Sequence, residues 1–157
     1  MKVDQARRLE ELEAENARLK RAVAETLKVI GKLGSQARIN VILFESAVTR
    51  WKKGLVPVNR RTRTALKGYL RNKNERGGTN LFDALEMALL TKDVDSIYLL
   101  SDGNPNEGKF IRSDDILRAV RDLNRVRHIT IHGIALGYES DLLRDLAAQS
   151  GGTYTRR

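Results

Sequence analysis

The sequence of 157 residues contains no cysteine and only two histidines. The absence of cysteine excludes disulfides, thiolate nucleophiles and cysteine-ligated zinc. His128 and His132 lie in a strand-like run, where such residues are ordinary strand positions more often than metal ligands. The sequence also has no P-loop, dinucleotide fingerprint, zinc-protease helix or Gly-x-Ser-x-Gly elbow. We therefore expect a protein that is not an enzyme.

Long apolar runs are missing as well. No stretch is long enough to span a membrane, and the first residues are charged instead of forming an apolar leader. These absences predict a cytoplasmic protein without a membrane segment. A content of 41% hydrophobic and 31% charged residues is typical of a globular chain. The length favours one domain with a modest appendage.

The chain is strongly basic, with 29 Lys and Arg against 20 Asp and Glu and a net charge of +9. The whole excess lies in residues 50–76, called the basic segment below. Such a density is compatible with a nucleic-acid partner or with a merely solvated basic face. Because no RNP, KH or helix-turn-helix signature accompanies it, nucleic-acid binding is the alternative and not the main hypothesis. The basic residues of the segment are Arg50, Lys52, Lys53, Arg60, Arg61, Arg63, Lys67, Arg71, Lys73 and Arg76.

Residues 1–33 predict one long N-terminal helix. From Leu9 to Leu33, mostly apolar residues recur at alternating spacings of three and four, which is a heptad pattern. Asn16 takes an a position of this pattern, where one polar residue favours a pair of strands. The pattern predicts either a parallel homodimer through residues 8–33 or an ordinary amphipathic helix without a partner. From about Ala22 the apolar face broadens, which predicts that the second half packs on a sheet.

Residues 38–157 alternate between strand and helix patterns. Residues 40–44 predict a strand buried on both faces of a parallel sheet, and residues 47–51 and 55–58 predict a short edge hairpin. Further strands are predicted at residues 96–100 and 129–136, and a last one near Tyr154. Helices are predicted at residues 62–70, 81–90, after Ser113, and from Ser140 to Ala148 with Gly151 and Gly152 at its end. This order predicts a three-layer α/β domain with a mostly parallel, Rossmann-like sheet.

Two loops lie where ligands bind in such sheets, just beyond strands or at the starts of helices. They are Gly77-Gly78-Thr79-Asn80, where Asn80 is a predicted N-cap with Asp83 in the capping-box position, and Ser101-Asp102-Gly103-Asn104. With these loops, the chain resembles a von Willebrand factor A domain across residues 22–154. The resemblance extends to the order of the motifs and to the closing Gly-Gly. It implies that family's α/β fold and a protein-interaction module.

The resemblance also implies a metal-ion-dependent adhesion site for Mg²⁺ or Mn²⁺. In the family, an Asp-x-Ser-x-Ser motif on the first strand, a Thr and an Asp hold the ion, and a partner's acidic side chain completes its shell. Carried over to this chain, Thr79 supplies a hydroxyl and Asp102 a carboxylate, with Ser101 beside them. Gly78, Asn80, Gly103 and Asn104 would form the partner-binding surroundings. From the residues alone, Thr79 can equally be a loop residue before a cap, and Asp102 the start of an Asp-Gly turn.

The sequence departs from the family at its first motif. No Asp-x-Ser-x-Ser occurs, and no apolar strand precedes the long helix. Three of the five usual side-chain ligands are therefore absent, so Mg²⁺ or Mn²⁺ is expected to bind weakly. The missing strand would lie between residues 40–44 and 96–100, and its loss forfeits about 1.5–3 kcal/mol for each buried side chain. We expect a sheet incomplete at its first strand, in a remnant, a rearranged chain, or a domain completed by pairing of the two edges or by another chain.

Overall fold

The computed structural model describes residues 2–73 and 77–157, and Arg76 of the basic segment lies outside them. It contains five helices and seven strands within these residues. The helices are α1 (Lys2–Gly31), α2 (Arg60–Arg71), α3 (Leu81–Leu89), α4 (Ser113–Leu123) and α5 (Asp141–Ser150). The strands are β1 (Arg38–Ile39), β2 (Ile42–Phe44), β3 (Val48–Arg50), β4 (Val56–Pro57), β5 (Ser96–Ser101), β6 (Thr130–Ala135) and β7 (Tyr154–Arg156).

Strands β5, β6 and β7 form a parallel sheet in the order β5-β6-β7. Its register places Ser96 opposite Thr130 and Gly133 opposite Tyr154. Because parallel neighbours need crossover connections, α4 joins β5 to β6 and α5 joins β6 to β7. The predicted α/β fold with a mostly parallel sheet is confirmed.

Two apolar clusters stabilise the domain. The larger cluster joins α3, α4 and α5 to the sheet and includes Phe82, Ile116, Ile131 and Leu146 among its fully buried side chains. The smaller cluster joins α1 and α2 to β1 and β4 around Leu66, which is completely buried. Along β2 the side chains alternate between the two, since Leu43 contacts the smaller cluster and the next residue, Phe44, contacts the larger one. The clusters therefore lie on opposite sides of the strand layer, which makes three layers.

Helix α1 is exposed in its first half and packed in its second. Leu9 is 57% exposed, whereas Ile30 is buried and Val23 and Leu27 pack against the smaller cluster. Beyond about residue 22, the apolar face of α1 that the predicted dimer would need is therefore packed against other parts of the same chain. Pairing through residues 8–33 stays a prediction, restricted to the exposed first half. None of the helices in residues 2–73 and 77–157 combines the length and the apolarity needed to span a bilayer.

The pairing predicted for residues 40–58 is wrong. Strand β3 pairs antiparallel with β2, and β4 pairs antiparallel with β1, so residues 47–51 and 55–58 do not form a hairpin with each other. The reason is local: Asn40 accepts a bond from the Lys52 backbone N–H and donates to the Lys52 carbonyl, which folds the chain back on itself. Strand β2 is half-buried instead of buried on both faces. Within the described residues, β2 and β5 do not pair with each other. Completion of the sheet by pairing of its two edges is therefore also wrong.

The helix caps agree in part with the sequence. Ser140 accepts a bond from the Leu143 N–H, and Gly151 ends α5 in the left-handed conformation with φ of 77°. Ser113 does not cap α4, because the helix begins at that residue and its N-cap is Arg112, which makes no side-chain capping bond. The predicted capping box between Asn80 and Asp83 does not form. The Asp83 carboxylate accepts a hydrogen bond from the Asn80 side chain, whereas the Asn80 backbone N–H donates to the Glu45 carbonyl.

Candidate functional site

The two loops singled out in the sequence meet at one edge of the molecule. Residues 77–80 precede α3, and residues 101–104 follow β5. A Cβ built on Gly103 would lie 3.9 Å from Thr79 Oγ1, and both Thr79 and Asp102 line the mouth of the same cavity. Parallel strands bring their carboxyl ends to one edge, where such loops converge. We call residues 77–80 and 101–104 the rim.

Asp102 is paired with a cation from the long helix. Arg18 Nε donates to Asp102 Oδ2 at 2.6 Å, and the two side chains are 62% and 34% exposed. The hydrogen bond to Asp102, followed by the charge of that carboxylate, raises the pKa of Arg18 above its usual value. A pair this exposed contributes about 0–1 kcal/mol to stability. Its importance is local, because it places a fixed positive charge at the rim.

A second network fixes the Gly-Gly loop. Gly78 N–H donates to Ser46 Oγ at 2.7 Å, and Thr79 N–H donates to Asn106 Oδ1 at 2.7 Å. Ser46 Oγ in turn donates to Glu107 Oε1 at 3.0 Å. A Cβ at Gly78 would overlap this Glu107 oxygen and stand 2.5 Å from Asn106 Oδ1. A larger residue at position 78 would therefore displace the ends of these two polar side chains.

Replacing Gly78 with alanine is expected to lower the free energy of unfolding by about 1–2 kcal/mol, because Asn106 must move and the Thr79 N–H loses its acceptor. Urea denaturation measures the change. Gly68→Ala is the matched control: this glycine lies inside α2 with nothing within 4 Å of an added Cβ. It should be stabilising by about 0.5–1 kcal/mol. A neutral Gly78→Ala protein would contradict the close packing of the loop.

The structure assigns different roles to the predicted rim residues. Gly103 and Asn104 are exposed and Gly78 is half-buried, so all three remain candidates for a partner surface. Asn80 is only 8% exposed, and its side-chain oxygen accepts from the Asp83 N–H. Its assignment as a partner-binding residue stays a prediction, for a side chain that is mostly buried. Ser101 is also 8% exposed, and its hydroxyl donates to the Gly103 carbonyl at 3.1 Å.

Sequence reasoning missed four members of this site: Arg18, Ser46, Asn106 and Glu107. Arg18 is 84 positions away from Asp102 in the chain. Its heptad position marked it only as a charged residue on a helix surface. Asn106 and Glu107 carry no sequence pattern of their own, and Ser46 is not among the predicted site residues. Only the fold brings these side chains together.

The donors around Asp102 do not fit a divalent cation. Mg²⁺ prefers six oxygen ligands in near-octahedral geometry, whereas the predicted set offers one carboxylate and the Thr79 hydroxyl. Within residues 2–73 and 77–157, no three His, Asp or Glu side chains form a group that could hold a metal ion. Asp102 Oδ2 is in addition engaged by the Arg18 guanidinium. The convergence expected from the sequence is present, but its ligand set is too small.

Among the described residues of the basic segment, most of the Lys and Arg side chains lie on the exposed surface of α2 and in the turn after β3. Lys52 Nζ lies 4.9 Å from the centroid of the Trp51 ring, and Lys73 Nζ lies 5.1 Å from that of Tyr69. A cation of the same chain therefore lies near a face of each ring. The comparisons described next give no support to the nucleic-acid alternative.

The fold and the rim together define a class: a Rossmann-like α/β domain whose binding edge is made by loops at the carboxyl ends of parallel strands. A family model described as "von Willebrand factor type A domain" matches residues 12–156. The chain belongs to the von Willebrand factor type A family. The resemblance seen in the sequence is thereby confirmed.

Known relatives agree with this assignment. The chain is 25% identical over 127 residues to human von Willebrand factor A domain-containing protein 3B, covering 78% of this chain and 9% of that protein. Among solved structures, a von Willebrand factor type A protein from Catenulispora acidiphila matches with a TM-score of 0.73 and 20% identity, over 91% of this chain and 35% of that one. The chain is also 26% identical over 156 residues to bovine inter-alpha-trypsin inhibitor heavy chain H1, covering 90% of this chain and 17% of that protein. The chain thus spans only a small part of the length of either curated relative.

One solved relative contains a metal. Proximal thread matrix protein 1 from the mussel byssus, with a zinc-occupied MIDAS motif, matches with a TM-score of 0.63 and 18% identity, over 91% of this chain and 37% of that protein. The fold can therefore carry a metal at a metal-ion-dependent adhesion site. The donors of the present chain differ from such a site in the ways described above.

Proposed function

We propose that this chain is a non-enzymatic protein-interaction module whose rim binds its partner through Arg18 instead of through a divalent metal. The observation that carries the proposal is the 2.6 Å bond between Arg18 Nε and Asp102 Oδ2. It puts a guanidinium at the carboxylate for which the family resemblance implies a cation. Members of this family generally mediate protein–protein contacts, and the exposed Gly103 and Asn104 border the pair.

Arg18 can accept a partner's carboxylate while it holds Asp102. A guanidinium has five N–H donors, and the bond to Asp102 engages the Nε of Arg18. The Arg18 side chain is 62% exposed, so a partner can reach the guanidinium at the rim. Arginine binds carboxylates in a planar, two-point geometry, which gives specificity for an Asp or Glu of the partner. A weak single contact of this kind would act together with the surrounding rim.

Calorimetric titration with Mn²⁺ and Mg²⁺ tests the metal-free arrangement. The native protein is expected to show no saturable binding stronger than a Kd of about 1 mM, since one carboxylate and one hydroxyl compete poorly with water. Asp102→Ala should give the same flat trace. Saturable binding well below that concentration, abolished in Asp102→Ala, would show a working metal site and overturn the role given to Arg18.

Nuclear magnetic resonance of the arginine side chains tests the carboxylate contact. A tripeptide Gly-Glu-Gly, added in the presence of a chelator, is expected to shift the Arg18 Nε–Hε signal in a saturable way. The signal of Arg8, an exposed arginine on the same helix, serves as the internal control. Equal shifts of the Arg8 and Arg18 signals would mean that the peptide binds cations without regard to position, and would reject the proposed rim.

A further inference from the structure

Helix α2 carries four cations at spacings of three, four and four residues, namely Arg60, Arg63, Lys67 and Arg71. The pitch of an α-helix places these residues within about 80° of one another around its axis and spreads them over about 17 Å along it. All four are exposed, whereas the apolar residues of α2 are buried in the smaller cluster. We call these four cations the basic stripe.

The chain does not neutralise the basic stripe by direct contact. Residues 47–73 contain no Asp or Glu. Within residues 2–73 and 77–157, the ion pairs all involve other cations than the four of the stripe. Arg18 at the rim is different, because it is paired with Asp102. The stripe is therefore a row of positive charge that is open to solvent.

The charge pattern of the stripe is unfavourable for α2 itself. Arg63 and Lys67 are four residues apart, as are Lys67 and Arg71, and like charges at this spacing repel each other. Other local features of α2 favour the helix, since Asn59 and Thr62 form a complete capping box. A local rule that is broken on an exposed face without a compensating contact is typical of a functional surface.

The spacing of the stripe fits a second helix better than an extended strand. Acidic residues at spacings of three, four and four on a partner helix repeat the axial distances of the four cations. Four side chains on one face of a strand would instead span about 20 Å and would lose register with the stripe. Thr64 and Gly68 continue the exposed face, and an added Cβ at Gly68 would have nothing within 4 Å. These small residues leave room for a partner helix beside the cations.

We propose that the basic stripe binds an acidic helix of a partner protein, whose Asp or Glu residues recur at the spacing of the four cations. Members of this family generally mediate protein–protein contacts, which favours a polypeptide over a nucleic acid as the source of negative charge. Three of the four cations are arginines, which bind carboxylates in a planar, two-point geometry. The stripe and the rim belong to different elements, so this proposal does not depend on what the rim binds.

Two helical peptides built on Ala and Gln test the spacing. The first peptide carries four Glu residues at spacings of three, four and four, and the second carries the same residues distributed around the helix. Fluorescence anisotropy at low salt is expected to show that the native protein binds the first peptide about tenfold more tightly. Equal affinities, or no saturable binding of the first peptide below about 1 mM, would overturn the proposal.

Lys67→Glu is the most informative variant. Because this position lies four residues after Arg63 and four before Arg71, the change turns two repulsions within α2 into attractions. The thermal midpoint is expected to rise by about 2 °C. The variant should nevertheless bind the first peptide at least about tenfold more weakly than the native protein. A more stable protein that loses binding excludes unfolding as the cause, whereas unchanged binding would overturn the proposal.

Arg125→Glu is the matched control. It changes the net charge by the same amount at an exposed residue in the turn after α4, a helix that packs in the larger cluster. This variant should bind the first peptide as the native protein does. An equal loss in Lys67→Glu and Arg125→Glu would mean that net charge alone holds the peptide, and the stripe would be rejected as a site.

A random DNA duplex distinguishes the two sources of negative charge. We expect the duplex to bind more weakly than the first peptide at the same salt concentration. Tighter binding of the duplex, weakened by Lys67→Glu, would identify a nucleic acid as the ligand and reject the acidic helix. Lys67→Glu should leave the response of the Arg18 Nε–Hε signal to Gly-Glu-Gly unchanged, so failure at the stripe and failure at the rim are distinguishable.

Discussion

Replacement of Gly152 by alanine is expected to lower the free energy of unfolding by about 3 kcal/mol or more. A Cβ at this position would overlap the carbonyl oxygen of Ile131 and stand 2.6 Å from its carbonyl carbon. These are backbone atoms of β6, which is paired with β5 on one side and with β7 on the other. No side-chain rotation can relieve the clash, so α5 must move away from the sheet.

Urea denaturation of the native and variant proteins measures this effect, and a thermal scan should show a midpoint lower by at least about 6 °C for a domain of this size. The adjacent Gly151→Ala variant is the control. Gly151 has φ of 77° but nothing within 4 Å of an added Cβ, so its cost is conformational only, about 1 kcal/mol. Equal losses in the two variants would contradict the close approach of residue 152 to β6.

Phe82→Ala is expected to lower the free energy of unfolding by about 3–5 kcal/mol. The Phe82 ring is 1% exposed and meets the Phe110 ring edge-on, with centroids 4.8 Å apart. Truncation removes the largest fully buried side chain of the larger cluster and leaves a cavity that the neighbouring helices fill only partly. Urea denaturation again provides the measurement.

The same variant should loosen the rim. Phe82 lies in the first turn of α3 directly after the Asn80 cap, and Phe110 follows the loop that carries Asn106. Amide exchange at Thr79, whose N–H donates to Asn106, should therefore become faster than in the native protein. Tyr138→Ala, at an 80% exposed side chain, should change stability by less than about 0.5 kcal/mol. A Phe82→Ala protein as stable as this control would contradict the packing described for the cluster.

Some residues of the candidate site could be predicted from the sequence, and others could not. The Gly-Gly-Thr-Asn and Ser-Asp-Gly loops could be found because each follows or precedes a strongly patterned strand or helix. The ion pair of Arg18 with Asp102 could not, since the helix surface of α1 presents many charged residues and nothing local selects one of them. The low exposure of Asn80 could not be predicted either, because its backbone N–H donates to the carbonyl of Glu45, which is distant in sequence.

The strands of residues 38–58 illustrate the same limit for the fold. Their apolar runs predicted strands correctly, but the pairing depends on how the Asn40 side chain holds Lys52, which no periodicity reveals. The missing first strand was evident as an absent motif. The sequence did not show that β2 and β5 stay unpaired with each other within the described residues, with residues of α1 and α3 along the cavity that both strands line.

The sequence by itself determined the α/β class, the long N-terminal helix, the family and the two loops of the rim, because these follow from periodicity, glycine positions and short motifs within contiguous segments. Tertiary structure alone decided which cation meets Asp102, which polar residues are buried and how the strands of residues 38–58 pair. The physical reason is that such features depend on distances between segments far apart in the chain. Those distances are set by the packing of the two apolar clusters.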